Sequence, residues 1–230
     1  MIVFEQRGAA VIFNLLSSST GTGAFLLPSN ICPIIPITFL KTGRTFEFVD
    51  ITEDDFCMNR DVICQKIKNN PGHYDGIIFV RTYGYCDNQE DFFLFLKELN
   101  DKLLIIDDRC LCMPEDENET LVDVVLYSTG KAKPVDVGFG GFAYVKDNIP
   151  YKRNILAFSK RDEKDIVEKY KMVLKTRKKF NCQESDWLNT SLPPIDFDAY
   201  QDRIKEKKER ITDLRKNINS IYADGLPKEI

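Results

Sequence analysis

The stretch Ser128-Thr-Gly-Lys-Ala-Lys-Pro-Val-Asp-Val-Gly-Phe-Gly-Gly141 follows a mostly apolar run, Val122 to Leu126, that reads as a buried strand. A serine, two lysines and several glycines crowd into one loop before the next apolar run, Phe142 to Val145. Such a loop can bring a lysine amine, a hydroxyl and bare backbone to the same ligand. Taken alone, it reads better as a basic surface loop in which glycine serves the turns, because lysines near glycines are common.

Outward from this loop, helix-like and strand-like segments alternate. Ala9 to Leu16 reads as a short helix opening at Gly8, and Ala24 to Leu27 as a strand stopped by Pro28. Cys32 to Lys41 reads as a helix whose prolines, Pro33 and Pro36, suit a first turn. Thr45 to Val49 alternates apolar and polar residues. Arg60 to Lys68 and Asp91 to Leu99 carry helical spacing. Gly76 to Val80 and Leu103 to Ile106 are short apolar runs, the latter ending in Asp107-Asp108. Strands apolar on both faces, alternating with helices, predict an α/β domain with a mainly parallel sheet covered on both sides. Ligands of such sheets sit beyond the carboxyl ends of the strands. Asp50, Arg81, Asp108 and Ser128 all fall at such ends and are expected to line one crevice. After Tyr151 the character changes. Asp162 to Lys179 and Ala199 to Tyr222 read as charged helices, the second stopped by Asp224-Gly225-Leu-Pro227. The expected division is an α/β domain over 1–150 and a charged helical extension over 151–230.

With 32 basic and 36 acidic residues the net charge is −4, which argues against an electrostatically driven nucleic-acid binder. The 16 Phe and 9 Tyr argue for a folded globule. No apolar stretch is long enough to span a bilayer, and the N-terminus reaches Glu5 without a basic region. The reading is a soluble cytoplasmic protein. The cysteines at 32, 57, 64, 86, 110, 112 and 182 show no paired C-x-x-C spacing and read as reduced thiols filling core positions. Cys110 and Cys112 alternate with Leu111 and are expected on one face of an extended segment. His73, in a Pro-Gly-His turn, is the only histidine, so no metal site is expected.

Several motifs occur in a telling order: Arg7-Gly-Ala-Ala-Val11, Leu27-Pro-Ser-Asn-Ile-Cys-Pro33, Phe48-Val-Asp-Ile51, Tyr83-Gly84, Ile105-Ile-Asp-Asp108, and the Ser128 to Gly141 loop. From about Arg7 to Tyr222 the chain resembles the DegT/DnrJ/EryC1/StrS group of pyridoxal-phosphate enzymes, mostly sugar aminotransferases. The resemblance implies the large domain of a type I pyridoxal-phosphate-dependent transferase with a helical C-terminal extension. It implies pyridoxal 5'-phosphate as cofactor, a sugar nucleotide and an amino-acid donor such as glutamate as substrates, and a homodimer. Two lysines, Lys131 and Lys133, compete for the Schiff base. In the family a serine stands five residues before that lysine and a glycine pair opens five after it. Ser128 and Gly138 meet this for Lys133. Asp108, the second acid of the pair, is implied as the partner of the pyridine nitrogen, keeping the ring able to accept electrons. Gly8, Ala9 and Ala10 would open the phosphate-binding helix, with the Ser128 hydroxyl added to the same phosphate. Cys32 falls where an aromatic side chain often stacks on the ring, and Pro28-Ser29-Asn30 would lie over it.

Some positions depart from the family pattern. Leu111 stands where Gln or His is usual and cannot hydrogen-bond to a cofactor. Cys32 replaces the aromatic, and Ala9 replaces a hydroxyl residue. The segment usual before the phosphate helix is missing, and the sequence stops at Ile230, about where a smaller C-terminal domain would begin. These departures motivate a second expectation: a degenerate, non-catalytic member that keeps the fold as a binding or assembly module.

Overall fold

The computed structural model describes residues 1–84, 89–116, 121–180, 182 and 184–225. Cys86 and the Leu226-Pro227 part of the expected helix stop lie outside them. Among the described residues, strands and α-helices follow in the order β1 (Ile2–Glu5), α1 (Gly8–Ser18), β2 (Ala24–Pro28), α2 (Ile34–Thr42), β3 (Phe46–Val49), α3 (Arg60–Asn69), β4 (Tyr74–Val80), α4 (Glu90–Leu99), β5 (Leu104–Asp108), β6 (Val124–Ser128), β7 (Gly141–Val145), α5 (Lys160–Thr176) and α6 (Phe197–Gly225).

The strands form one 7-stranded sheet in the order β1-β7-β6-β5-β4-β2-β3. From β3 to β6 every pairing is parallel, and β7 and β1 close the edge antiparallel. The mainly parallel α/β sheet is as the alternating apolar runs predict. Strand β1 was not expected from the sequence. Its four residues are too short and too mixed to stand out, and it becomes a strand because β7 offers it a free edge, with Glu5 opposite Gly141.

Each face of the sheet has its own core, because strand residues alternate in direction. On one face Ile77, Phe79, Ile105, Val125 and Tyr127 pack with Phe92, Phe93 and Leu96 of α4 and with Tyr200 and Ile204 of α6. On the other, Ile78, Ile106, Val124 and Leu126 pack with Val11, Ile12, Leu15 and Leu16 of α1. Helix α1 is covered on its outer side too, where Ala9 and Phe13 meet Ile166 of α5, Trp187 and Leu188. A helix apolar all round requires such double burial. Glu5, buried at the end of β1, accepts from Asn14 of α1 at 3.2 Å, the Tyr151 hydroxyl at 2.7 Å and Arg153 at 2.8 Å, which fixes where α1 starts.

Two expectations fail here. Residues 109–112 form a turn, with the Cys112 amide donating to the Arg109 carbonyl at 2.9 Å. Cys112 therefore enters the core on the α4 face while Cys110 packs on the α1 face. Nor do Asp50, Arg81, Asp108 and Ser128 share one crevice. Asp50 stays beside Ser29 at the far end of the sheet, accepting its hydroxyl at 3.2 Å, and Arg81 turns into the α4 face.

Candidate functional site

The last two residues of β5 point to opposite faces, and this separates two adjacent carboxylates. Asp107 faces α4. It accepts Arg81 Nε at 2.8 Å and Nη2 at 3.0 Å, and Arg109 Nε at 2.8 Å, and is fully buried. Arg109 also reaches the Tyr127 hydroxyl at 3.3 Å. Paired this way, Asp107 braces β4, β5 and β6. Asp108 faces α1 and accepts the Cys110 amide at 2.9 Å. Burial pushes its carboxyl above the ordinary value; hydrogen bonds from Cys110 and the positive charge of Lys133 pull the other way. A carboxylate that is buried yet met by a nearby ammonium can hold a proton against a ligand's ring nitrogen.

Lys133 acts electrostatically on both Asp108 and the Cys110 thiol. Lys131 is exposed. The loop that carries them is tightly tied. The Lys133 amide donates to the Gly130 carbonyl at 3.2 Å, and Val137 donates to the Thr129 carbonyl at 2.9 Å. Asp136 accepts the Ala132 amide at 3.0 Å and the Gly138 amide at 2.8 Å. The Thr129 hydroxyl donates to the Phe139 carbonyl at 2.7 Å and lies 2.6 Å from the Tyr200 hydroxyl of α6. Gly140 has φ 98°, and a Cβ there would lie 2.5 Å from the Tyr200 hydroxyl oxygen. Only glycine allows the loop to close onto α6 in this way.

Beside this pair, the start of α1 meets the end of β6. A Cβ on Gly8 would touch Ser128 Cβ at 3.5 Å, Cys110 Sγ at 3.6 Å and Ser128 Oγ at 3.8 Å. No side chain caps α1, so its first-turn amides have no competing side-chain acceptor. Ala9 and Ala10 are buried, and their side chains belong to packing; what they bring to the helix start is backbone. Cys32, exposed just before α2, is close enough to raise the Cys110 thiol further. The structure thus gathers Gly8, Ser128, Cys110, Asp108 and Lys133, with Cys32 at the margin. Cys110 was missed in the sequence because a cysteine between apolar neighbours reads as core. Its position two residues after Asp108, within reach of that carboxylate, was the available signal.

A groove of about 340 Å³ runs along α6 past Pro114, Phe142, Ile204 and Lys208, and none of its lining residues belongs to the cluster. Among the described residues no group of His, Cys, Asp and Glu is placed to hold a metal ion, and no helix is long and apolar enough to cross a membrane.

The cluster has parts that would suit pyridoxal phosphate: a buried acid, a lysine whose charge acts on it, and a helix start with an adjacent hydroxyl. The residues present fit that group, with fewer phosphate donors than a hydroxyl at position 9 would give.

No protein-family model matches the chain, and no curated protein matches it. Solved structures do. The sugar aminotransferase CalS13 from Micromonospora echinospora aligns with TM-score 0.55 and 22% identity, over 64% of this chain and 42% of that one. A Bacillus cereus protein assigned to the pyridoxal-phosphate-dependent aminotransferases aligns with TM-score 0.63 and 18% identity, over 97% and 57%. The E. coli GDP-4-keto-6-deoxy-D-mannose-3-dehydratase, solved with hydrated pyridoxal phosphate, aligns with TM-score 0.52 and 14% identity, over 64% and 39%. The shared property is the fold, that of the large domain of pyridoxal-phosphate-dependent transferases. The chain spans between 39% and 57% of the lengths of these three proteins.

Proposed function

We propose that this chain is the cofactor-binding part of a pyridoxal-phosphate-dependent aminotransferase of nucleotide-linked keto sugars, with Lys133 as the Schiff-base lysine. The observation that supports this is a buried Asp108 on the α1 face, beside the start of α1 and Ser128 and within the electrostatic reach of Lys133, while Asp107 is engaged by two arginines on the other face. Bound there, pyridoxal phosphate supplies an electron sink conjugated to the substrate carbon. Asp108 holds a proton at the ring nitrogen, where a buried carboxylate is strongest as an ion-pair partner. The amides opening α1 and the Ser128 hydroxyl bind the phosphate and fix the ring's orientation. The Lys133 amine would take the proton from the amino donor's Cα and deliver it to the carbon on the far side of the donor nitrogen, serving as base and then acid. The amino donor is glutamate or a similar amino acid, the acceptor is a ketone on a sugar nucleotide, and the working unit is a homodimer.

The second reading, a binding or assembly module on the same fold, draws on Leu111 and Ala9. Neither supplies the polar group the family places there, and Leu111 is partly exposed, so its side chain is not excused by packing.

One experiment separates them. Purified protein is mixed with pyridoxal phosphate, reduced with borohydride, and digested for mass spectrometry. The expected result is a pyridoxyl adduct on Lys133, lost in Lys133→Ala and kept in Lys131→Ala. Glutamate, added before reduction, should suppress the adduct by converting the cofactor to its amine form. An adduct that glutamate leaves untouched sinks the transaminase reading and favours the binding module. An adduct absent or scattered over surface lysines sinks the cofactor assignment itself.

A further inference from the structure

Two aromatic residues that the proposed reaction does not use stand at the carboxyl-end edge of the sheet. Phe56 and Tyr83 both have φ 56°, in the left-handed region. Bulky side chains avoid that region, and residues held in it gather where strain serves a ligand. The two rings meet edge to face, with centroids 5.8 Å apart and planes at 86°. Yet Phe56 is 45% and Tyr83 81% exposed. A ring that open gains little from packing, so burial does not offset the backbone strain beneath it.

The surrounding contacts hold the rings in place. Phe56 sits at the tip of a small excursion, 50–59, closed by hydrogen bonds from Asn59 to the Asp50 carbonyl and from Thr52 to the Cys57 carbonyl, each 2.9 Å. Asn30 Nδ2 grips the Phe56 carbonyl at 3.0 Å. Cys57, the residue after Phe56, and Thr82, the residue before Tyr83, are both buried beneath the rings' backbone. Gly84, at φ 75°, lies so close to Leu111 that a Cβ would come within 2.5 Å of its carbonyl oxygen. The Arg81 amide donates to the Asp108 carbonyl at 2.9 Å. Tyr83 is two residues further on, a chain reach of about 7 Å. Tyr83 thus follows β4, the neighbour of the strand that carries Asp108, and Phe56 reaches it from beyond β3, along the edge where substrates of this sheet type enter.

We infer that Phe56 and Tyr83 form a stacking platform for the nucleobase of a nucleotide-linked substrate whose reacting end lies over Asp108 and Lys133. The reacting end rests on the function proposed above; the platform rests on the rings. An open aromatic face suits any base, because every base presents a π-face, and stacking alone sets little preference among bases. The fixed backbone presents the rings without an ordering cost when the ligand arrives.

The test is calorimetric titration of the whole chain, without pyridoxal phosphate, using uridine, thymidine and guanosine diphosphates. Pyrophosphate and ribose 5-phosphate serve as base-free probes. The nucleoside diphosphates should bind at least tenfold more tightly than the base-free probes. Tyr83→Ala should lower their affinity by about tenfold or more, and Tyr83→Phe should keep it. Tyr83→Gly should lose the binding and yet raise the melting midpoint by roughly 2 °C, since glycine takes this φ without strain. A ring of merely structural value would lose stability instead. Equal binding of base-free probes, or unchanged affinity in Tyr83→Ala, overturns the inference. So does a Tyr83→Ala variant whose only change is weakened self-association in sedimentation, which would make the pair a contact with a second copy. Base-dependent binding without a Lys133 adduct keeps the platform and sinks the reaction. A Lys133 adduct without base-dependent binding does the reverse.

Discussion

Arg81 holds Asp107 through two hydrogen bonds, at 2.8 and 3.0 Å, and by engaging that acid leaves its neighbour Asp108 to face the cluster alone. The two carboxylates should respond to substitution in opposite ways. Arg81→Met, which leaves a buried charge short of a partner, should cost about 3–5 kcal/mol in denaturant unfolding. Asp108→Asn should hold or raise stability at neutral pH, because burial already penalises that carboxylate's charge. The linkage has a definite sign. A carboxyl whose folded pKa is raised costs stability above that pKa, and the cost fades as pH falls toward the unfolded value. Asp108→Asn should therefore stabilise most above the raised pKa while failing to retain pyridoxal phosphate.

Gly140 and Tyr200 make the lysine loop depend on α6. Gly140→Ala meets both the left-handed φ and the Tyr200 ring, and should cost roughly 2 kcal/mol or more. Tyr200→Phe removes one hydrogen bond while the Thr129 hydroxyl keeps the Phe139 carbonyl, so about 1 kcal/mol is expected. Both are read by chemical denaturation, and the first should also slow formation of the Lys133 adduct.

Glu47 reports on the far edge of the sheet. Lys66 chiefly, then Tyr74 and His73, lower its pKa from 4.5 to about 2. A depressed carboxyl contributes stability that is whole above its unfolded pKa and lost as pH falls through the folded one. Acid unfolding of the native chain should steepen between pH 4.5 and about 2, and Glu47→Gln should flatten that limb. The effect should be small, because the Glu47 side chain is 37% exposed and solvent screens the pair.

The thiols should also separate by reactivity. Cys32 is exposed, whereas burial, and then the Asp108 charge, push the Cys110 thiol well up. Iodoacetamide at neutral pH should label Cys32 first and the partly buried Cys110, with its raised thiol pKa, far more slowly. Labelling of Cys110 as fast as Cys32 in the native chain would contradict this.

Much of the fold could be read from residues because the central strands are apolar on both faces, as in Ile77 to Phe79 and Ile105 to Ile106. β1 could not, since an edge strand of four residues takes its identity from β7. The turn at 109–112 hid likewise, because alternation of cysteine and leucine mimics a strand. Within the cluster, Asp108 and Lys133 were named from spacing and resemblance. That Asp107 is the arginine-engaged acid of the pair depends on Arg81, 26 positions away in the chain, which no local pattern reveals. Phe56 and Tyr83 were likewise beyond reach, because their interest lies in backbone angle and exposure, not in residue type.

The pairing of β1 with β7 joins residues about 140 positions apart, Ile2 with Tyr144 and Glu5 with Gly141. A ribosome must therefore release nearly two thirds of the chain before the first strand has a partner. Until then β1 stays unpaired, and α1, which follows it directly, lacks β6 and β7 to cover its apolar face. Contacts of such high order form slowly. Assembly of the sheet should begin among β2, β4 and β5 and finish at the β1 edge, so the helix start that would bind phosphate is among the last features to take shape.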